Sequence, residues 1–271
     1  MQSRIRAVML GLLAVMLAGS VMAATASANL AAGPFWHHRP IGETKNTIGE
    51  KVEAKAPENF KGSGGKQILL GELAGDKVEI AAESDSVVGA LFNNANQGQI
   101  KFNITYNSPK LEKPVISGCE VKIGTNNVVQ VKGHLDWKWN GEPKQLTEPK
   151  QVEAGQTPDI LFSAVEPQAG TTELKEGTFT TITLTTCGVL NGKFNVTGSE
   201  AGIPNRKIEE WSRKLAVRTL EPQEGFFLQH DWTGAANTGF KVPLVFGNKP
   251  ASLIGQNETE SEQQELAVFE N

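Results

Sequence analysis

Cysteine is scarce in this chain. Only Cys119 and Cys187 occur among its 271 residues, in neither a CxxC pair nor any metal-ligand spacing, so a zinc-held or disulfide-dense fold is excluded. Long apolar runs are absent beyond the first residues, and nothing later approaches the ~20 apolar residues that a bilayer core requires. Positive charge is also short. The formal net charge is −4, with no basic run and no aromatic-basic interleaving, which argues against a nucleic-acid partner. Motifs of hydrolysis and phosphate chemistry are missing: there is no G-x-S-x-G elbow, no HExxH, no phosphate-cradling glycine loop and no calcium-loop spacing of aspartates. Gly198-Ser-Glu-Ala-Gly202 has the wrong register for an elbow and reads as a turn. No cofactor and no metal are expected.

What is present begins with an export signal. Arg4 and Arg6 form a basic start, Ala7 to Leu17 is apolar, and small residues follow up to Ala28, the pattern of a cleaved secretory signal peptide. Cleavage after Ala28 leaves 243 residues and takes the formal charge from −4 to −6. The mature chain is then expected to be soluble outside the cytoplasm rather than integral to a membrane. Two cysteines in an exported chain most simply form one disulfide, worth roughly 2–4 kcal/mol for a loop of this length.

The clearest element is VVQVKGHLDWKWN, Val128 to Asn140. Val129, Val131, Gly133, Leu135, Trp137 and Trp139 share one parity, and polar residues take the other, as in a strand with one buried face. Gly98 to Tyr106 repeats this pattern with Ile100, Phe102, Ile104 and Tyr106 inward. A turn at Gly75-Asp76 would pair Leu73 with Val78 and Leu69 with Ala82. A loop at Thr125-Asn126-Asn127 would fold Cys119 to Ile123 back onto the central strand, so that Gly133 lies opposite Cys119 and admits the second sulfur between layers. Asn191-Gly192 as a type I′ turn would pair Val189 with Phe194, and a bulge at Cys187-Gly188 would restore the parity of Ile182 and Leu184. Val87 to Phe92, Ile160 to Val165, Phe226 to Trp232, Phe240 to Phe246 and Leu266 to Phe269 complete the strand signals. Ile208 to Leu215 reads as a short helix or irregular turn leading into a strand.

Few residues point to chemistry. His37 and His38 are neighbours on an extended chain and face opposite sides, so Phe35 and Trp36 clipping the segment onto the domain is the preferred reading over a metal site. His134 and Asp136, with Trp137 beside them, sit on the central strand, and His230-Asp231-Trp232 brings the same residue types together again. Together they would make a polar binding cluster or an acid/base pair, against the plainer reading of surface contacts worth under ~1 kcal/mol. Trp137 and Trp139 share a face that could stack sugar rings, although the core competes for both.

GPFWHHRP (Gly33 to Pro40), GCEVKIG (Gly118 to Gly124), GHLDWKWNG (Gly133 to Gly141), TFTTITL with CGVLNGKFNVTGSEAG (Thr178 to Gly202) and KPASLIG (Lys249 to Gly255) resemble a multi-copy group of uncharacterised secreted β-rich proteins of soil actinobacteria. The resemblance implies an exported bacterial β protein and carries no activity to transfer.

The expectation is therefore an all-β chain, an antiparallel β-sandwich or jelly roll with at most one short helix besides the signal peptide. Residues 1–28 form the signal peptide, 29–65 a loosely ordered arm, 66–255 the sandwich, and 256–271 an acidic tail with a possible last strand. The expected role is a non-catalytic binding or structural module outside the cell or in its envelope, with a glycan or envelope component as partner. A carbohydrate-binding module with a tryptophan platform is the alternative, and a glycan hydrolase using Asp136 or Asp231 the second.

Overall fold

The computed structural model describes residues 35–43, 49–94, 97–139, 158–163, 177–205, 210–219, 227–229, 239–241 and 244–269. Its elements are strands, in the order β1 (Phe35–Pro40), β2 (Glu50–Lys51), β3 (Glu58–Gly64), β4 (Gln67–Leu73), β5 (Asp76–Ala82), β6 (Ser84–Asn93) and β7 (Gly98–Asn107). There follow β8 (Lys110–Lys113), β9 (Glu120–Ile123), β10 (Val128–Trp139), β11 (Pro158–Ser163), β12 (Thr178–Thr185) and β13 (Gly192–Pro204). The last seven are β14 (Lys214–Thr219), β15 (Phe227–Gln229), β16 (Gly239–Lys241), β17 (Leu244–Phe246), β18 (Lys249–Pro250), β19 (Ser252–Ser261) and β20 (Gln264–Phe269). A single 3₁₀ turn at Gly188–Leu190 is the helical element among the described residues.

The chain is all-β with antiparallel sheets, as the alternating pattern requires. Eight strands close on themselves: β6 pairs with β7, β7 with β10, β10 with β11, β11 with β13, β13 with β14, β14 with β19, β19 with β3, and β3 with β6. The two inner faces expected of a sandwich are thus joined at both edges into a barrel. Two further sheets grow from this ring. The first half of β19 pairs with β4, which continues to β5 and β8. The first half of β13 pairs with β12 and β17, and β12 continues to β9. These sheets meet where Phe246 of β17 packs over Gly71 of β4 and edge-on to Phe194, at 5.9 Å between ring centroids. One continuous cluster of buried side chains runs through barrel and sheets from Trp36 to Phe246.

Hairpin registers differ from the sequence expectation in instructive ways. Leu73 pairs with Asp76 and Gly71 with Val78, because the turn is Ala74-Gly75, both with positive φ, as a type I′ hairpin demands. The slip is two residues, so the apolar set keeps its face. Asn126 and Asn127 do adopt left-handed backbone, but β9 does not fold back onto β10. β10 pairs with β7 along Val128–His134 and with β11 along Lys132–Trp137, and β9 pairs instead with β12, Ile123 opposite Ile182. Gly133 accordingly faces Ile100 and Phe162 rather than Cys119.

The disulfide is formed, with S–S at 1.99 Å and Cα atoms 4.6 Å apart. It closes the end of the β9/β12 pair, just beyond Glu120 opposite Thr185, and does not cross between layers. The bulge expected at Cys187-Gly188 is replaced by the end of β12 at Thr185, positive φ at Thr186 and Gly188, and the 3₁₀ turn. Val189 is left 84% exposed and Phe194 pairs with Ile182.

The expected segment limits also shift. β3, within the supposed arm, is a barrel strand, and β19 runs through Gly255 into the supposed tail. In a sheet of their own, β1 pairs with β20 and β2, burying Phe35 and Trp36 as the clip reading requires. Residues 210–213 are irregular before β14, while residues 1–34, Pro243 and the Asn140-Gly141 turn lie outside the described residues.

Candidate functional site

Alternation along each barrel strand sends one parity inward. From β7 come Ile100, Phe102, Ile104 and Tyr106, the inward set anticipated from sequence, and from β10 Val129 and Val131. These side chains line a cavity of about 180 Å³ whose wall is almost wholly apolar. Eight strands make an interior just wide enough to be filled by side chains or to hold one small ligand. Here filling is incomplete. Gly133 and Gly202 are buried on the inward parities of β10 and β13 and supply no side chain.

Polar groups interrupt the apolar wall at few points. Glu200 of β13 is 3% exposed. Neither of its carboxylate oxygens has a hydrogen-bond partner, and burial alone holds its pKa well above the ordinary carboxylate range, because the charged form has lost its water. Tyr106 also faces the cavity. Its phenol is pushed up by burial and then by the negative charges of Asp85 and Glu200, which places Tyr106 within electrostatic reach of both acids. Asp85 of β6 is raised to about 6 by burial, with hydrogen bonds from Gln67, the Gly64 backbone and Asn257 pulling the other way. Asn257 Nδ2 donates to Asp85 Oδ1 at 2.5 Å, and Gln67 Nε2 donates to Asn257 Oδ1 at 3.0 Å. Asp85 is thus partly satisfied, with Oδ1 bonded to Asn257 and Oδ2 buried without a partner, whereas neither oxygen of Glu200 has one.

Cationic side chains along the wall are engaged at its rim. Arg213 reaches Glu260 at 3.1 Å and the Ser261 carbonyl at 3.3 Å. Trp36 contributes an indole Nε1 that is buried without a partner, while its backbone N–H donates to Asn93 Oδ1 and its carbonyl accepts from Asn93 Nδ2 at 2.7 Å.

The residues singled out by sequence lie elsewhere. His134 is half-buried on β10. Asp136, Trp137 and Trp139 occupy the same strand, opposite Asp159, Pro158 and Phe227 respectively. Their side chains, and all of His230, Asp231 and Trp232, lie outside the described residues, so the tryptophan platform and the Asp136 or Asp231 acid/base role stay without geometry. His37 is buried against Phe269, 4.8 Å between ring centroids, and His38 Nδ1 bonds Glu58 at 2.8 Å.

Glu200 was missed because GSEAG reads as a turn. It is instead the middle of β13, and Val196, Gly198, Glu200, Gly202 and Pro204 share one parity. An acid on an apolar parity was the available signal, and the same signal marks Asp85 beside Val87 and Leu91.

No family model, curated protein or solved structure matches the chain.

Proposed function

We propose that the chain is an exported, non-catalytic binding module whose barrel interior holds one small apolar molecule. The observation that carries this reading is the apolar cavity of about 180 Å³ lined by the closed ring of strands together with the sheets that grow from it. A close-packed interior has few voids larger than a water, and an apolar cavity of ~150 Å³ suffices to bind benzene or xenon. The size suits a single aromatic ring or a short branched chain. Export is supported by the basic-then-apolar N-terminal run and by the Cys119–Cys187 disulfide, which persists in oxidising compartments.

The test is titration of the purified chain with benzene and with toluene, following methyl resonances of Val87, Ile100 and Val131 together with the melting temperature. Saturable methyl shifts and a rise in melting temperature are expected, since a ligand at ~100 times its Kd stabilises by about 2.7 kcal/mol. Unchanged resonances and melting temperature at ligand saturation of the solvent would overturn the reading.

A further inference from the structure

We propose that the barrel selects a ligand bearing a basic amine on its apolar body, and that Glu200 is the residue that receives the amine. The inference rests on the cavity being a binding site and adds the chemical class of its occupant.

Three observations converge. Glu200 is 3% exposed, on the inward parity of β13, and both carboxylate oxygens are without a hydrogen-bond partner. A buried acid left unpaired weakens a fold, and a residue of the same length without charge would pack there at lower cost. Among the described residues no cation is paired with it. Arg213 turns to Glu260 and Ser261, Lys214 reaches Glu258 at 3.5 Å, and burial is the sole cause acting on the Glu200 pKa. Finally, Tyr106 lines the same cavity and its phenol feels the negative charges of both Glu200 and nearby Asp85, while the basic wall residues Arg213 and Lys214 are paired with Glu260 and Glu258. The cavity is therefore apolar in shape with an unpaired buried carboxyl in its wall, and the carboxylate that Glu200 forms on losing its proton complements a protonated amine better than a carboxylate, a phosphate or a neutral hydrocarbon.

Binding has a definite proton balance. At a pH where burial keeps free Glu200 protonated, the incoming amine arrives as R–NH3⁺ and the complex is R–NH3⁺ paired with a carboxylate. One proton leaves to solvent for each amine bound, whereas a neutral hydrocarbon of the same shape releases none.

The pair of probes is benzylamine and toluene, titrated into the full chain and into Glu200→Met and Glu200→Gln. Benzylamine is expected to bind the unaltered chain with release of one proton, read from binding heats in buffers of different ionisation enthalpy. Both substitutions are expected to weaken benzylamine by about tenfold or more while toluene affinity changes by less than about threefold. Toluene binding without benzylamine binding, or benzylamine binding indifferent to both substitutions, would overturn the amine assignment and leave the cavity reading standing. Equal loss of both ligands in both variants would make Glu200 a structural residue and overturn it too. Absence of binding by either probe to the unaltered chain would overturn the cavity reading itself, and the amine assignment with it.

Discussion

A carboxyl group buried among aliphatic side chains leaves a mark on the pH dependence of folding. Glu200 and Asp85 both keep their protons more tightly in the folded chain than in the unfolded one. Between the ordinary value and the raised one, the folded state binds protons that the unfolded state has released, so stability falls as pH rises. For Asp85 the window runs from 3.8 to about 6; for Glu200 it opens at 4.5 and extends well upward. Urea melts taken from about pH 4 to about pH 8 are expected to show steadily decreasing stability over that range. Glu200→Met should flatten the upper part of the decline and gain ~1–3 kcal/mol at neutral pH, the cost of an unsatisfied buried polar group. A variant weaker than the unaltered chain would mean that the carboxyl has a partner in the fold. This residue was legible in principle. Its parity with Val196 is visible in the sequence, but the glycines on either side imitate a turn, and composition cannot say that two glycines flank a strand position facing a cavity.

Strands and their inward faces were the most readable level, because a period of two survives any change of partner. Ile100, Ile104, Val129, Val131 and Leu135 are all buried as the alternation demands. Partner choice was less readable. The β9–β10 turn has the right asparagines, yet β9 pairs with β12 and β10 with β7, and that choice of partner is a property of the assembled sheets. Glycines within strands show the same limit. A Cβ on Gly89 would run into the Lys101 carbonyl and stand 2.5 Å from Phe102 Cβ and 2.7 Å from the Phe60 ring tip, so its bareness lets the β7 backbone and both rings approach across β3, β6 and β7. Gly89→Ala is expected to destabilise by ~1–3 kcal/mol through overpacking, measured as a lower urea midpoint at unchanged slope. A neutral result would show that the aromatic pair can shift aside.

At the scale of the whole molecule, the barrel is closed at one end by a segment remote in sequence from its wall. Trp36 is 3% exposed and lines the cavity, and Asn93 grips its backbone on both sides. Trp36→Ala is expected to cost ~3–5 kcal/mol, as for other large aromatics removed from cores, and to weaken the retention of benzene in the cavity. Unaltered stability by chemical denaturation would show that the β1/β20 sheet is an appendage. The tryptophan as a clip was visible in GPFWHHRP, while its place at the cavity was not, since nothing local in that segment names Leu135 or Gly98 as neighbours. The long strands β13 and β19 have a different kind of consequence. Each begins in one of the outer sheets and ends in the barrel wall, so neither part owns a complete set of hydrogen-bonding edges. Cutting the gene between the two parts would tear both ladders, and no fragment of the chain should be expected to stand as an autonomous folding unit or to melt ahead of the remainder.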